Sequence, residues 1–461
     1  MDILERAEKE LEASYQKDKK KEKPNYTANF NGLVDLVEDQ EKTKFLTFKG
    51  EILSEKEIDG KVYLPPPKVD WLLPNGKKVL ELVKLHDLDT SDTMDSIPGC
   101  TYCQKTLLPK ILAYFRDISQ PPTGYHYLLL VLAAFHSFLI EYFNYSPILF
   151  LVATKGRGKT PTLKALAYIS RRGILTETFR EANLIRWASD YQASLFLDVR
   201  DFPKKVERAA AEDLIYGRAE RGVTSSRVLF PEKGAYLDMV TFSSFGVTGA
   251  TSNVMVDAIT EARCIVFNMP FSKKVYDIEP SRELGLPIKE ELTAFRMAHF
   301  KKAFLNVYKK RPGKLENYLR GYHQMVRTHF PTYEKSFLKL KEVIYENKHE
   351  EAENTLEAKL LLAVIKLIEK VEDGGFLATE LVANTVNEGI SEKFALSTDR
   401  VGRELKGMGF KSIKNSSGDK RGIFYNVDLI ESIKEQYGLV EAPQEKVSDM
   451  SGVPEKSKGE L

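Results

Sequence analysis

Residues 148–160 read ILFLVATKGRGKT, and the segment PTLKALAYIS follows them directly. The run ILFLVA is apolar throughout, which is typical of a strand buried on both faces of a parallel sheet. The segment after the loop has the composition of a helix, and Pro161 suits its first turn because no partner is needed there for the missing N–H. The stretch therefore predicts a buried strand, a glycine-containing loop and a helix in direct succession.

The loop ATKGRGKT follows the pattern G-x4-G-K-[ST], with Ala153 in place of the first glycine. Gly156 and Gly158 allow backbone N–H groups to turn inward around a β-phosphate, and the helix adds its positive amino-terminal end. Lys159 is expected to reach the β- and γ-phosphates, and the Thr160 hydroxyl to hold Mg²⁺. We predict that MgATP is bound by Thr154, Lys155, Gly156, Arg157, Gly158, Lys159, Thr160 and Pro161.

A second apolar run, LFLDVRD, ends at Asp198. An ATPase of this kind needs a carboxylate at the end of a neighbouring strand to hold the water shell of the metal, so Asp198 is the predicted second Mg²⁺ group. An aspartate that caps the turn after the strand is the structural alternative. The next residue is Val199, where many such ATPases have a glutamate that activates water. Asp201 is the nearest substitute for this catalytic base.

Two further polar residues lie next to apolar runs that predict strands. Asn253 comes after FSSFGVTGATS, where a polar side chain can orient the attacking water, and Thr251 or Ser252 are alternatives. Arg263 precedes CIVFNM, and an arginine there can face the γ-phosphate of a neighbouring subunit or form a surface ion pair. The segment RVLFPEKGAYLDMVTF (227–242) predicts a β-hairpin with Lys233 near its tip.

Composition restricts the class of protein. The chain has 461 residues, 43% of them hydrophobic, and a formal net charge of +2, so a DNA partner must be met by local basic patches. Three cysteines are too few for a disulfide scaffold, and the charged amino terminus lacks the apolar region of a secretory signal. The apolar stretch 127–140 is shorter than the roughly 20 residues of a membrane span and predicts a buried helix. We expect a soluble, cytoplasmic protein.

Cys100 and Cys103 form an isolated C-x-x-C pair. A zinc site would need two further ligands at a suitable spacing, and no such pair stands out nearby in the sequence. Cys264 belongs to a predicted strand. We therefore expect an ordinary pair of thiols.

The segment 355–438 reads as three helices followed by two short strands, which is the order of a winged-helix domain. Between Ser397 and Arg421 basic residues outnumber acidic ones, which suits contact with a DNA backbone, although a protein contact or a solvated face has the same composition. The predicted DNA contacts here are Arg400, Arg403, Lys406, Lys411, Lys414, Lys420 and Arg421. The predicted organisation is a charged flexible amino terminus (1–24), a small β-rich module (25–99), an α/β ATPase core with a parallel sheet (100–275), a helical region (276–350), the winged-helix domain (355–438) and a disordered tail (439–461).

Taken together, these motifs resemble the AAA+-like P-loop ATPases of plasmid, viral and integrated elements, including some of primase-helicase type. The resemblance covers roughly residues 30–270 and is carried by GLVDLVEDQEKTKFL, ATKGRGKT, LFLDVRD, VLFPEKGAY and TEARCIVFNMP. Their order is similar to that of superfamily-3 and minichromosome-maintenance helicases. The resemblance implies a P-loop NTPase core of the ASCE type, a hexamer-like ring of identical subunits, Lys233 as a DNA contact in the channel, Asn253 as a sensor and Arg263 as a finger acting on the neighbouring subunit. Ala153 and Val199 depart from the family pattern, and no primase carboxylate cluster is evident.

These features predict a DNA-dependent ATPase, a helicase or translocase in the replication of a mobile element. A nucleotide-switched initiator or loader that does not unwind DNA is the alternative, which Val199 favours because a weak base suits a slow switch. A regulatory DNA-binding protein with a non-hydrolysing site is a third interpretation. A small-molecule kinase is disfavoured by the length of the chain, by the carboxyl-terminal domain and by the lack of an evident acceptor-site lid.

Overall fold

The structure is a computed structural model, and it describes residues 24–87, 99–178, 180–228, 232, 234, 238–256, 258–302, 314–353, 356–368, 376–388, 395–414, 418, 420–424 and 426–437. The chain divides into two compact units at the boundary between Leu340 and Lys341. The predicted flexible amino terminus, except Pro24, and the predicted tail lie outside the described residues.

Short strands open the first unit: β1 (Asn25–Tyr26), β2 (Leu33–Asp39), β3 (Lys42–Thr47), β4 (Ile52–Leu53), β5 (Lys56–Ile58) and β6 (Lys61–Leu64), followed by helix α1 (Gly76–Asp87). Strands β2, β3 and β4 form one sheet, and β1, β6 and β5 form another. Buried side chains of this region, among them Leu36, Phe45 and Trp71, share one hydrophobic cluster with Ile148 and Leu195. The β-rich region is therefore packed into the same core as the strand before the loop at 153–160, which we call the phosphate loop after its predicted role.

The apolar stretch at 127–140 forms the buried helix that the sequence predicts. Helix α2 (Leu108–Ile118) precedes it, and the stretch itself belongs to α3 (Gly124–Phe138). Every side chain from Leu128 to Phe138 is buried, so this part of the helix is covered on all sides by protein. Within the part of the chain that the structure describes, no helix has the length and apolar character needed to cross a membrane.

A five-stranded parallel sheet forms the centre of this unit, as the alternation of strands and helices predicts. The remaining strands of the unit are β7 (Ile148–Val152), β8 (Gly173–Thr176), β9 (Ser194–Asp198), β10 (Thr224–Val228), β11 (Met239–Ser243), β12 (Thr248–Ser252) and β13 (Cys264–Asn268). The sheet has the order β13–β7–β12–β9–β8, and every neighbouring pair is parallel. The carboxyl ends of all five strands consequently meet at one edge, which is where ligands bind in open α/β sheets.

The hairpin predicted for 227–242 is confirmed, because β10 and β11 pair antiparallel. Lys233, its predicted DNA contact, lies outside the described residues. The run 242–250 is divided between β11 and β12. The guanidinium of the buried Arg218 donates to the carbonyl oxygens of Ser244 and Val247 at 2.8 Å each and to Thr248 Oγ1 at 2.6 Å. The side chain thus supplies hydrogen-bond donors to the backbone carbonyl groups of the bend that separates the two strands.

The helices of this unit pack on the sheet, and one of them follows the phosphate loop directly. Helix α4 (Lys159–Ile169) packs on β8, β9 and β12, and α9 (Arg282–His299) packs on α1 and α4. Two short π-helical turns, Cys103–Leu107 and Arg186–Asp190, adjoin α2 and α5 (Glu181–Ile185), respectively. The bounds are α4 Lys159–Ile169, α5 Glu181–Ile185, α6 Phe202–Arg208, α7 Glu212–Gly217, α8 Ala258–Glu261, α9 Arg282–His299 and α10 Lys314–His329, and α11 (Glu334–Glu353) crosses the boundary between the units.

The second unit contains α12 (Leu356–Ile368), β14 (Phe376–Ala378), α13 (Thr379–Val386), α14 (Thr398–Gly407), β15 (Ser412–Lys414), β16 (Arg421–Phe424) and α15 (Val427–Tyr437). The strands form an antiparallel sheet of order β14–β16–β15. Three helices followed by a hairpin occur in the predicted order. The sequence did not predict β14 between the first two helices, because only three residues form it and its partner strand, β16, comes from a remote segment.

Candidate nucleotide-binding site

The phosphate loop adopts the backbone conformation that its glycines allow. Gly156 and Gly158 have φ angles of +81° and +77°, a region that is sterically costly for other residues. Gly158 is the N-cap of α4, so Lys159 and Thr160 open the helix at the carboxyl edge of the sheet. Thr154, Lys155 and Gly156 are exposed, and Arg157 is half-buried with its guanidinium 5.3 Å from the ring centre of Phe271.

The ammonium group of Lys159 points into the loop. Its Nζ donates to the carbonyl oxygens of Ala153 and Thr154, the latter at 2.9 Å, and to Asn253 Oδ1 at 2.9 Å. The side chain is buried, and burial lowers the pKa of Lys159, as does the charge of Arg157, while Asp198 opposes this. Because the three partners are neutral oxygen atoms, an anionic phosphate would be a stronger acceptor for the same donors.

Asp198 lies beside the start of the loop helix. Thr160 Oγ1 donates to Asp198 Oδ1 at 3.2 Å, and Thr251 Oγ1 donates to the same oxygen at 2.6 Å. Thr251 also accepts a hydrogen bond from the backbone N–H of Val199 at 3.0 Å. Two hydroxyl groups thus orient one carboxylate oxygen, and no described residue donates to Oδ2.

The strand order brings these groups together. Strand β12 lies between β7 and β9, and Thr251 stands opposite Asp198 in the register of the sheet. Asn253 follows this strand, and its backbone N–H donates to the carbonyl oxygen of Arg200 at 2.8 Å. Two polar side chains at the end of β12 therefore reach the site: Asn253 contacts Lys159, and Thr251 contacts Asp198. The sequence named Thr251 only as an alternative to Asn253, because the register of the sheet is needed to distinguish their roles.

The catalytic base is not evident from the geometry. Asp201 is the N-cap of α6, where Oδ1 accepts from the backbone N–H of Lys204 at 3.4 Å and Oδ2 pairs with Lys204 Nζ at 3.2 Å. Val199 is buried and belongs to the hydrophobic core, so a longer polar side chain would not fit there without rearrangement. The proposed role of Asp201 as a base stays a prediction.

Arg263 lies at the opposite edge of the sheet from the phosphate loop. It precedes β13, whose first residue pairs with Ile148 at the amino end of β7, whereas the loop follows the carboxyl end of β7. Its guanidinium lies 4.8 Å from the ring centre of Tyr216, whose hydroxyl forms a hydrogen bond with Thr260 Oγ1 at 2.8 Å. The structure therefore does not bring Arg263 close to Lys159 and Asp198 of its own chain.

The predicted DNA contacts of the second unit lie on two neighbouring elements. Arg400, Arg403 and Lys406 are exposed on α14 at a spacing of three residues, while Val401 and Leu405 are buried. The hairpin carries the remaining described ones, and Lys414 stands directly opposite Arg421 between β15 and β16. Like charges in such a cross-strand pair are destabilising unless an anion compensates them. Lys411, Lys414, Lys420 and Arg421 are exposed.

No protein-family model and no curated protein matches the chain. Among solved structures, the apo C-terminal region of NrS-1 is similar with a TM-score of 0.37 and 11% identity over 81% of this chain and 82% of that one. The SCCmec type IV Cch, described as an active helicase, has a TM-score of 0.35 and 9% identity, with 83% and 77% covered. The Drosophila ORC bound to DNA has a TM-score of 0.17 and 12% identity, with 78% and 99% covered. Because every TM-score lies below 0.5, we draw no functional conclusion from these likenesses.

Proposed function

We propose that this chain binds MgATP in the phosphate loop and hydrolyses it in support of movement on DNA, as a ring-forming helicase or translocase. The observation that carries the proposal is the convergence of Lys159, Thr160 and Asp198 at the carboxyl edge of a parallel sheet, directly after a loop with two left-handed glycines. This combination supplies backbone donors, a cation and a carboxylate around one position, which is what binding of a triphosphate requires.

The donor atoms beside Asp198 suit Mg²⁺, which prefers oxygen ligands from one or two protein groups together with phosphate and water. Thr160 Oγ1 and the carboxylate of Asp198 are the residues that would hold it. The ion would neutralise charge on the β- and γ-phosphates. Within the chain, Thr251 keeps the Asp198 carboxylate oriented, and Lys159 is the donor that we expect to transfer from carbonyl oxygens to phosphate oxygens.

Asn253 supports a link between nucleotide binding and the water that attacks. Its Oδ1 accepts from Lys159 Nζ at 2.9 Å, so binding of phosphate by Lys159 would release the amide. The released amide could then orient a water molecule near the γ-phosphate. Asn253 is therefore the residue that we propose as the sensor.

The DNA side of the proposal depends on the second unit. Its order of helices and strands is typical of a winged helix, and the three exposed basic residues of α14 would face the phosphate backbone. The opposed pair Lys414 and Arg421 on the hairpin is a further site at which a phosphate would relieve repulsion. Affinity from such contacts is mostly independent of sequence.

The primary test is the rate of ATP hydrolysis with and without single-stranded and forked DNA. We expect DNA to raise the rate, and the forked substrate to be unwound when ATP is hydrolysed. Hydrolysis without any DNA binding or stimulation would contradict the proposal.

The substitution of Arg403 and Lys406 together by alanine is expected to weaken DNA binding. The logarithm of the binding constant falls linearly with the logarithm of salt concentration, and each lost phosphate contact should make this slope about 0.9 less steep on duplex DNA. The slope of the double variant should therefore be less steep by roughly 2. The matched control removes Lys359 and Lys366, which are charged residues of α12 in the same unit. An unchanged salt slope in the Arg403/Lys406 variant, measured by fluorescence anisotropy, would argue against this surface.

A role for Arg263 in a neighbouring subunit predicts complementation. Arg263→Ala and Lys159→Ala proteins should each be nearly inactive, yet a mixture should regain about a quarter of the wild-type rate if subunits mix at random, because some interfaces pair an intact site with an intact arginine. Arg208→Ala, an exposed arginine on α6, serves as control and should stay active alone. A mixture without recovery, despite demonstrated mixed oligomers, would contradict a role of Arg263 in the site of a neighbouring subunit.

A nucleotide-switched initiator or loader is the second candidate, and a specific observation favours it. Val199 is buried in the core and Asp201 caps a helix, so no glutamate beside Asp198 is ready to activate water. Slow turnover that is indifferent to DNA, combined with nucleotide-dependent DNA binding, would support this candidate. Strand displacement that is lost in Lys159→Ala would exclude it.

A further inference from the structure

Four buried side chains outside the nucleotide site lie close together: His86, Cys100, Cys103 and His299. One potential ligand atom from each lies within 4.8 Å of the others. His86 Nδ1 lies 3.6 Å from Cys100 Sγ and 3.4 Å from Cys103 Sγ, and His299 Nε2 lies 4.0 Å from Cys103 Sγ. The side chains are at most 5% exposed, so this is an interior cluster.

The distances agree with those between the ligands of one tetrahedral ion. With Zn–S near 2.3 Å and Zn–N near 2.0–2.1 Å, tetrahedral angles place sulfur and nitrogen ligands about 3.6 Å apart. The three sulfur–nitrogen distances of 3.4, 3.6 and 4.0 Å lie around this value. Two thiols and two imidazoles also form a donor set that is characteristic of zinc.

We propose that His86, Cys100, Cys103 and His299 bind one Zn²⁺ in a closed structural site. Four protein ligands complete a tetrahedron and leave no position for substrate, so the ion would stabilise the fold and take no part in catalysis. The inference does not depend on ATP binding or on DNA, because the cluster shares no residue with the nucleotide site.

The local backbone conformation holds the two cysteines of the C-x-x-C segment in a position suited to binding one metal ion. Gly99 has a φ of +90°, and a Cβ on it would lie 2.9 Å from the carbonyl oxygen of His329, so the entry to Cys100 requires glycine. The backbone N–H of Cys103 donates to Cys100 Sγ at 3.2 Å, a bond that favours the thiolate form. Both cysteines are thereby held on one side of the turn that begins the π-helical segment.

The site would join three helices from distant parts of the chain. His86 lies in the last turn of α1, Cys103 opens the π-helical turn before α2, and His299 is the last residue of α9. Glu291 of α9 braces the same region, because it accepts from Tyr102 Oη at 2.8 Å and pairs with Lys110 of α2 at 2.5 Å. A metal there would tie the amino-terminal region to the α/β core.

A redox-active dithiol is a less suitable interpretation. Reactive cysteine pairs are partly exposed so that a partner thiol can approach, whereas Cys100 and Cys103 are 3% and 0% exposed. A redox pair also gives no reason for two imidazoles to converge on the sulfur atoms. None of the three cysteines forms a disulfide in the structure.

The test is the metal content of the full-length protein purified without chelators. We expect elemental mass spectrometry to find about one zinc per chain. X-ray absorption spectroscopy should then show two sulfur neighbours near 2.3 Å and two nitrogen neighbours near 2.0–2.1 Å from the zinc. This measurement on the wild-type protein needs no variant that has to fold. A chain without stoichiometric metal, or a metal without sulfur neighbours, would overturn the proposal, as would a Cys100–Cys103 disulfide in the protein as isolated.

Variants supply a second test. Cys103→Ser and His299→Ala are each expected to lower bound zinc at least tenfold and to lower the thermal midpoint. Cys264→Ser is the matched control, because Cys264 of β13 is also buried but its thiol donates to the carbonyl oxygen of Thr260 in α8, away from the cluster. Full zinc occupancy in a folded Cys103→Ser protein, or equal zinc loss in Cys264→Ser, would contradict the assignment.

Discussion

Lys159→Ala is expected to lower the rate of ATP hydrolysis roughly a hundred- to a thousandfold, the cost of removing one preorganised donor from a developing charge. The lysine is the only loop side chain with its cation buried among the loop carbonyl oxygens and the Asn253 amide, so no neighbour is positioned to replace it within the described residues. Nucleotide affinity should fall as well, because the β- and γ-phosphates lose a direct cationic contact.

Lys164→Ala is the matched control for this substitution. It removes the same charge from the same helix, but Lys164 pairs with the exposed Glu279 at 2.9 Å, and such surface pairs contribute little. We expect a rate within about twofold of wild type, measured by steady-state phosphate release. Equal activity of Lys159→Ala and wild type would place hydrolysis elsewhere in the chain, and an equal loss in both variants would point to damage to α4 as a whole.

Asp35→Asn is expected to destabilise the first unit by about 3–5 kcal/mol, the range found when one partner of a buried ion pair is removed. Asp35 of β2 and Arg172 are fully buried, and Arg172 Nε donates to Asp35 Oδ1 at 2.6 Å. Burial alone would raise the pKa of Asp35, but the charges of Arg172 and Arg171 outweigh it and hold this pKa below its ordinary value. The variant leaves Arg172 and the buried Lys289 without that compensation.

Glu38→Gln is the control, because Glu38 is an exposed residue of the same strand and should change stability by less than about 0.5 kcal/mol. The double variant Asp35→Leu/Arg172→Met should lose less than the sum of the single variants, since neither charge is then left unpaired. Denaturant melts followed by tryptophan fluorescence measure these differences. A change below about 0.5 kcal/mol in Asp35→Asn would show that the pair contributes nothing net.

Buried carboxylates close to arginines also predict how the stability of the wild type responds to acid. The charges of Arg171 and Arg296 outweigh burial and lower the pKa of Glu141 to about 2. A carboxyl group with a depressed pKa stabilises the fold above its unfolded pKa and loses that contribution as pH falls through the folded value. Stability should therefore decline from about pH 4.5 towards pH 2, and less steeply in the Asp35→Leu/Arg172→Met variant.

The phosphate loop and the sheet could be predicted from sequence because their signals are local. A continuous apolar run, two glycines and a helical segment specify the strand, the loop and the helix within a few turns of chain, and each of these features appears in the structure at the expected residues. Asp198 was also predictable, since a carboxylate at the end of an apolar run lies at the same sheet edge as the loop. The sequence did not reveal the bend held by Arg218, whose partners there are two carbonyl oxygens and the Thr248 hydroxyl, 26 to 30 residues further along the chain.

The tertiary structure decided which of several polar residues meet. Only the register of β12 beside β9 distinguishes Thr251, which orients Asp198, from Asn253, which holds Lys159. The interpretation of Cys100 and Cys103 as an isolated thiol pair was incomplete for the same reason, because His299 reaches them from a helix 196 residues further along the chain. Sequence alone determined the strands and helices of the core and the phosphate loop, since backbone propensity and hydrophobic periodicity act over short distances along the chain. Packing between remote segments determined the buried ion pair of Asp35 and Arg172 and the Cys₂His₂ cluster.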